Sequence, residues 1–163
     1  DRELATAKTE AELIAKNDAF KGTRAEEAAF SAKTLVAMHR PDLVRERQKH
    51  ILLNYADHLE PNPRAMKRLL NAYGFRRGYD IQAAERSDPD ALIRWTIIEN
   101  RWPVMASYLS GKTVTEGERK ALVVLKDDPR LRAVYDGIDW DKLAILKDVE
   151  ARFDDLTPKE KAA

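Results

Sequence analysis

Asp88-Pro89-Asp90-Ala91-Leu92-Ile93-Arg94-Trp95-Thr96-Ile97-Ile98-Glu99-Asn100-Arg101-Trp102-Pro103 is the run that decides the fold class. Asp88 is a short acceptor able to cap free amides, and Pro89 already carries the φ of a first helical turn. From there Leu92, Trp95, Ile98 and Trp102 recur at spacings of three and four, so one helical face turns inward. Pro103 must end or kink that helix, because its ring clashes with the preceding turn and it brings no amide donor. Asn62-Pro63 and Asp128-Pro129 repeat the same starting device.

Outward from this run the pattern stays helical. Leu4, Ala7, Ala11 and Ile14 share a face, and Gly22 interrupts it. Thr23 and Glu26 form a capping box for a helix through Ala25, Ala28, Ala32, Leu35 and Val36. Pro41 fits the first turn of the next, whose inward side reads Val44, Ile51, Leu52, Tyr55 and Leu59. Thr115 and Glu118 make a second capping box, and Gly137 can close the short helix after Pro129. Asp139 is expected to cap a last helix whose face is Leu143, Leu146, Val149 and Phe153. Only Leu122-Val123-Val124-Leu125 is branched enough to rival these as a strand. The expectation is an all-α fold, a compact helical bundle of about seven or eight helices, with a small winged-helix-like end if 121–126 forms a strand. Three parts are expected: an N-terminal helical segment over 1–40, a helical domain over 41–156 and a frayed tail over 157–163.

Composition bounds the rest. A chain of 163 residues with 44% hydrophobic content can bury a core without staples. Its 35% charged residues, net charge of +1 and mean hydropathy of −0.58 place it among soluble chains. Apolar stretches such as Ile51 to Leu53 and Leu122 to Leu125 are far shorter than the roughly 18 residues of a membrane span. Asp1-Arg2-Glu3-Leu4 has no signal-peptide character. The absence of cysteine excludes disulfides and thiolate metal sites and fits a reducing compartment, so a cytoplasmic protein is expected. The start at Asp1 rather than at methionine leads to the expectation of a fragment of a larger protein.

Residues 62 to 79 carry five basic side chains and no acid. At about 100° per residue, Arg64, Lys67, Arg68 and Asn71 fall within one arc, with Met66, Leu69, Leu70 and Tyr73 opposite. One face packs and the other presents positive charge. Arg64 lies in the first turn, where free amides and the helix dipole favour anions, so this end suits a polyphosphate.

Glu60-Pro61-Asn62-Pro63-Arg64-Ala65-Met66-Lys67-Arg68-Leu69-Leu70-Asn71 resembles the NPR-x-(hydrophobic)-KR-(two hydrophobics)-N segment near the C-terminal end of KAP-type P-loop NTPases and related bacterial NTPases. Ile97 to Pro103 and Asp128 to Gly137 are similar to later stretches of that family, in the same order, so the resemblance spans about residues 40 to 150. It implies a helical lid and sensor region that closes over ATP and Mg held by an upstream NTPase core. By that likeness Arg64 is the nucleotide-binding sensor of the terminal phosphate, with Lys67 and Arg68 as further phosphate or partner contacts. A bacterial defence or signalling role is what the resemblance implies for the parent protein; a homo-oligomer is a separate partner expectation, and self-association would favour the scaffold reading below. The residues also admit a solvated basic helix face. Two further alternatives stay open: a nucleic-acid-binding module using the 64–77 face, with Arg40, Arg45, Arg47 and Lys49 as the nearby basic patch, and an interaction scaffold that docks a partner on its N-terminal helices.

Other patterns carry no chemistry. Ala106 to Thr113 matches a relaxed P-loop, but it follows a proline-kinked helical segment, and no helix opens at Lys112. Leu122 to Asp128 mimics a Walker B strand, yet too few residues separate it from that loop. His39, His50 and His58 share no ligand spacing, and Trp95, Trp102 and Trp140 are spaced as core anchors. With no nucleophile motif or phosphate-cradling loop, the chain alone is expected to hold no catalytic residue and no cofactor.

Overall fold

Each helix start foreseen from a short polar residue before a proline is built that way. In the computed structural model, which describes residues 2–82, 87–143, 146 and 149–156, Asp88 accepts from the amides of Asp90 and Ala91 at 3.0 and 3.1 Å. Asp128 accepts from Arg130 N at 2.8 Å, and Asn62 from Arg64 N at 2.9 Å. Thr23 and Thr115 form complete capping boxes with Glu26 and Glu118. The described residues are all-α: α1 Arg2–Ala5, α2 Glu10–Ala19, α3 Arg24–Met38, α4 Pro41–Asn54, α5 Pro63–Gln82, α6 Pro89–Arg101, α7 Pro103–Leu109, α8 Glu116–Lys126, α9 Pro129–Tyr135 and α10 Val149–Asp154, with 3-10 turns at Ala56–His58 and Trp140–Lys142. Setting aside the two shortest, α1 and α10, eight helices remain, the number expected. None of the described helices is long and apolar enough to cross a membrane.

The strand considered for 121–126 does not form. The segment is the body of α8, where Leu122 is buried and Val124 points into water. The Thr115 capping box starts this helix, and the two adjacent valines do not outweigh it. The winged-helix-like end is therefore absent from the described residues.

Three faces differ from their sequence pattern, and in α2 the reason is the greater gain from burying a leucine than an alanine. At the N-terminus Thr9 caps Glu12 N at 3.2 Å and starts a new helix, so the periodic stretch splits into α1 and α2. Leu13 is then buried and Ala11 exposed. In α3 the inward side is set by Phe30, Thr34 and Met38, and Val36 is 74% exposed. In α4 Leu43 goes in while Leu52 faces out.

The helix expected from Asp139 is broken. Asp139 makes no cap; it pairs with Lys142 Nζ at 2.7 Å, and the chain closes as the 3-10 turn Trp140–Lys142. Leu143, Val149 and Phe153 are nonetheless buried, and Leu146 packs against the same core. The tail over 157–163 lies outside the described residues.

Two apolar cores result. The larger one is organised around α6, whose Leu92, Ile93, Trp95, Ile97 and Ile98 are all buried. Its far end is aromatic: Trp95 meets Trp140 edge-on at 6.2 Å, and Tyr135 stacks on Phe153 at 3.8 Å. The smaller core gathers Leu4, Ala7, Leu13 and Met38 and is closed by Leu43 of α4 and Ile81 of α5, so it is not confined to 1–40. Between them runs a buried polar chain. Glu10 accepts from Arg47 and Arg77 at 2.8 and 2.9 Å, and Arg77 reaches Asp80 at 3.3 Å and the Ser87 carbonyl at 3.2 Å. Asp80, 1% exposed, takes the Ser87 amide and hydroxyl at about 3.0 Å. Every charge in this chain has a partner, which is the condition for burying charge without a large penalty.

Candidate functional site

α5 is twenty residues, about 30 Å long, and its two sides have different fates. Leu69, Tyr73, Arg77, Asp80 and Ile81 are buried, and burial pushes the Tyr73 hydroxyl up to about 12. Arg76, at the flank, pairs with Glu99 of α6. Burial holds the Glu99 carboxyl above the usual range, and the Arg76 guanidinium opposes that shift. The outward side carries Arg64, Lys67, Arg68 and Asn71, all exposed. Arg64, Lys67 and Arg68 have no ion pair or side-chain hydrogen bond among the described residues.

The start of α5 is less open to anions than its sequence indicates. Pro63 has no amide, Arg64 N is held by Asn62, and Met66 N bonds the Asn62 carbonyl at 2.9 Å. Only the Ala65 amide remains of the first turn. The backbone at this end therefore offers an anion little, and its positive charge comes from side chains.

Arg68 also borders a shallow open cleft between the turn at Ala56–His58 and α5 and α6, with His58, Met66, Asn100 and Arg101 on its walls. Arg101 is committed there: it donates to the His58 carbonyl at 3.0 Å and lies over Trp102. Burial, followed by the charges of Arg94 and Arg101, lowers the His58 pKa from 6.5, with Asp57 opposing.

The exposed face does not stop at Asn71. Phe75 and Tyr79 continue it, 78% and 62% exposed, beside an open cleft that Leu92 also lines. Their signal was present in the sequence, since 71, 75 and 79 repeat at four, but aromatic residues in a helix read first as core. By contrast the basic patch considered on α4 is partly used inside the molecule. Arg47 binds Glu10, and Arg40 donates to the carbonyls of Ala5 and Ala7, which leaves Arg45 and Lys49 exposed.

The P-loop look-alike is a helix stop. Gly111 at φ 83 lets its amide reach Tyr108 O at 2.9 Å and the Lys112 amide reach Ser107 O at 3.0 Å, closing α7. Arg152 covers this glycine and donates to Leu109 O at 2.7 Å. The Walker B look-alike lies mostly within α8, ending in the turn before Pro129. Trp95 and Trp102 are core residues, and Trp140 is half-buried against the same core. No cluster of His, Asp or Glu suited to a metal ion occurs among the described residues. No protein family, curated protein or solved structure matches the chain.

Proposed function

We propose that this chain is the C-terminal lid and sensor region of a KAP-like P-loop NTPase, coupling the ATP state of a core to a partner or effector. The observation that carries the reading is the set of three exposed, uncompensated cations Arg64, Lys67 and Arg68 at one end of a helix whose other side is locked into the core. ATP and Mg belong to the core, and this chain supplies cationic side chains from outside. Arg64 at the helix start presents a planar guanidinium, which can meet two phosphate oxygens at once. Charge that develops on the transferring phosphoryl group is stabilised by such a group without reorganisation. Lys67 and Arg68, up to one turn further along, contact the remaining phosphate oxygens or the core itself. The parent protein is cytoplasmic and bacterial in this reading, with a role in defence or signalling.

The test is steady-state ATP turnover and nucleotide affinity in the parent protein. Arg64→Ala is expected to lower turnover on the order of 10²-fold with little change in nucleotide affinity, because the interaction is made mainly in the transition state. Lys67→Ala and Arg68→Ala should have smaller effects. Unchanged turnover in Arg64→Ala of an active parent rejects the sensor role.

A further inference from the structure

The outward face of α5 is a single line of chemistry with two halves. Arg64, Lys67 and Arg68 form a cationic half, and Phe75 and Tyr79 form an aromatic half, with Asn71 between them. We infer that this line binds single-stranded nucleic acid, its phosphates on the three cations and successive bases on the two rings. The inference does not rest on the NTPase reading.

Spacing supports it. Four helical residues advance about 6 Å, so Phe75 and Tyr79 stand nearly twice as far apart as the about 3.4 Å between stacked nucleotides. A strand whose bases are splayed can place one on each ring, as aromatic platforms for single strands do. From Arg64 to Tyr79 the line runs about 22 Å, the reach of roughly four splayed nucleotides at the same spacing. Each nucleotide brings both an anion and a flat apolar ring, so any sequence satisfies the line. A duplex does not suit it: its bases are hidden, and of the basic residues at and along α4 Arg40 and Arg47 are held by internal contacts, which leaves only Arg45 and Lys49 in water.

The experiment is fluorescence anisotropy of this chain with labelled oligothymidylate and oligouridylate of about twelve nucleotides, longer than the four the line spans, and with a duplex of equal length. Single strands are expected to bind with a slope of log affinity against log salt near −2, from about 0.7 per phosphate contact. Phe75→Ala and Tyr79→Ala should each weaken binding roughly ten-fold and leave that slope unchanged. Arg68→Ala should flatten it by about 0.7. Phe75→Trp should retain affinity. Both aromatic positions are exposed, and circular dichroism checks that the variants fold. Four results overturn the inference: no binding, affinity indifferent to both aromatic substitutions, preference for duplex, or displacement by polyglutamate at equal charge, which marks an acidic peptide as the occupant. Self-association lost in Phe75→Ala, without oligonucleotide binding, assigns the face to a second copy and also overturns it. ATP turnover of the parent is expected to be unaffected by Phe75→Ala, so failure here and failure of the sensor role are separable.

Discussion

α5 and α6 begin alike, with a short capping side chain and a proline, and they lie against each other, yet their surroundings differ. α6 is enclosed: seven of its thirteen residues are buried, and Trp95 and Ile98 are at most 1% exposed. α5 is longer and leaves one side exposed, including two aromatic rings and three cations with no ion pair among the described residues. Burial of apolar area accounts for α6 completely. It does not account for the outer side of α5, where large apolar groups stay mostly exposed and gain little from their own fold. The difference separates a helix that holds the molecule together from one whose remaining face is available for binding.

The sharpest way to break this comparison is to delete an aromatic ring from each helix. Trp95→Ala is expected to cost about 3 to 5 kcal/mol in denaturant unfolding, and Phe75→Ala to change stability by less than about 0.5 kcal/mol. A comparable loss in both would mean that the outer face of α5 is structural. The inner side of α5 should behave like α6. Arg77→Met leaves Asp80 and Glu10 with fewer partners in a buried setting, and a loss of about 3 kcal/mol is expected, read as a lower midpoint with unchanged slope.

Smaller effects come from the two starts. Asp88 holds two amides and Asn62 holds one, so Asp88→Ala should cost up to about 2 kcal/mol and Asn62→Ala about 1 kcal/mol. Equal values would show that proline alone sets these boundaries. The smallest effect is in pH. Because the folded pKa of His58 lies below 6.5, the folded state takes up its proton less readily than the unfolded chain. Stability contributed by neutral His58 is therefore present above pH 6.5 and lost as pH falls towards the folded pKa. Glu99 has the opposite sign, since its raised pKa favours the protonated folded form and its contribution is lost as pH rises through and beyond 4.5. Denaturation midpoints at pH 7.5 and 5.5 should fall less in His58→Gln than in the parent sequence.

Local chemistry was legible because it is written within one turn. The caps at Thr23, Asn62, Asp88, Thr115 and Asp128 formed as read, and Pro103 separated α6 from α7. Asp139 failed as a cap because its side chain was taken by Lys142, a competition that the sequence does not rank. Arg64, Lys67 and Arg68 were legible as one face from helical geometry alone. Phe75 and Tyr79 were not, because an aromatic residue at helical spacing fits a core as well as a surface.

The sequence by itself determined that the chain is helical, where most helices start, and that one side of the 62–79 segment is basic, since these follow from backbone sterics and a fixed 100° rotation per residue. Only the tertiary structure decided which of two candidate faces each helix buries, that Arg40 and Arg47 serve the interior, and that Glu10 meets Arg77 across a gap of 67 residues. Those outcomes depend on which neighbour arrives at a given surface, and packing energy between elements distant in the chain is not encoded in the pattern of any one of them.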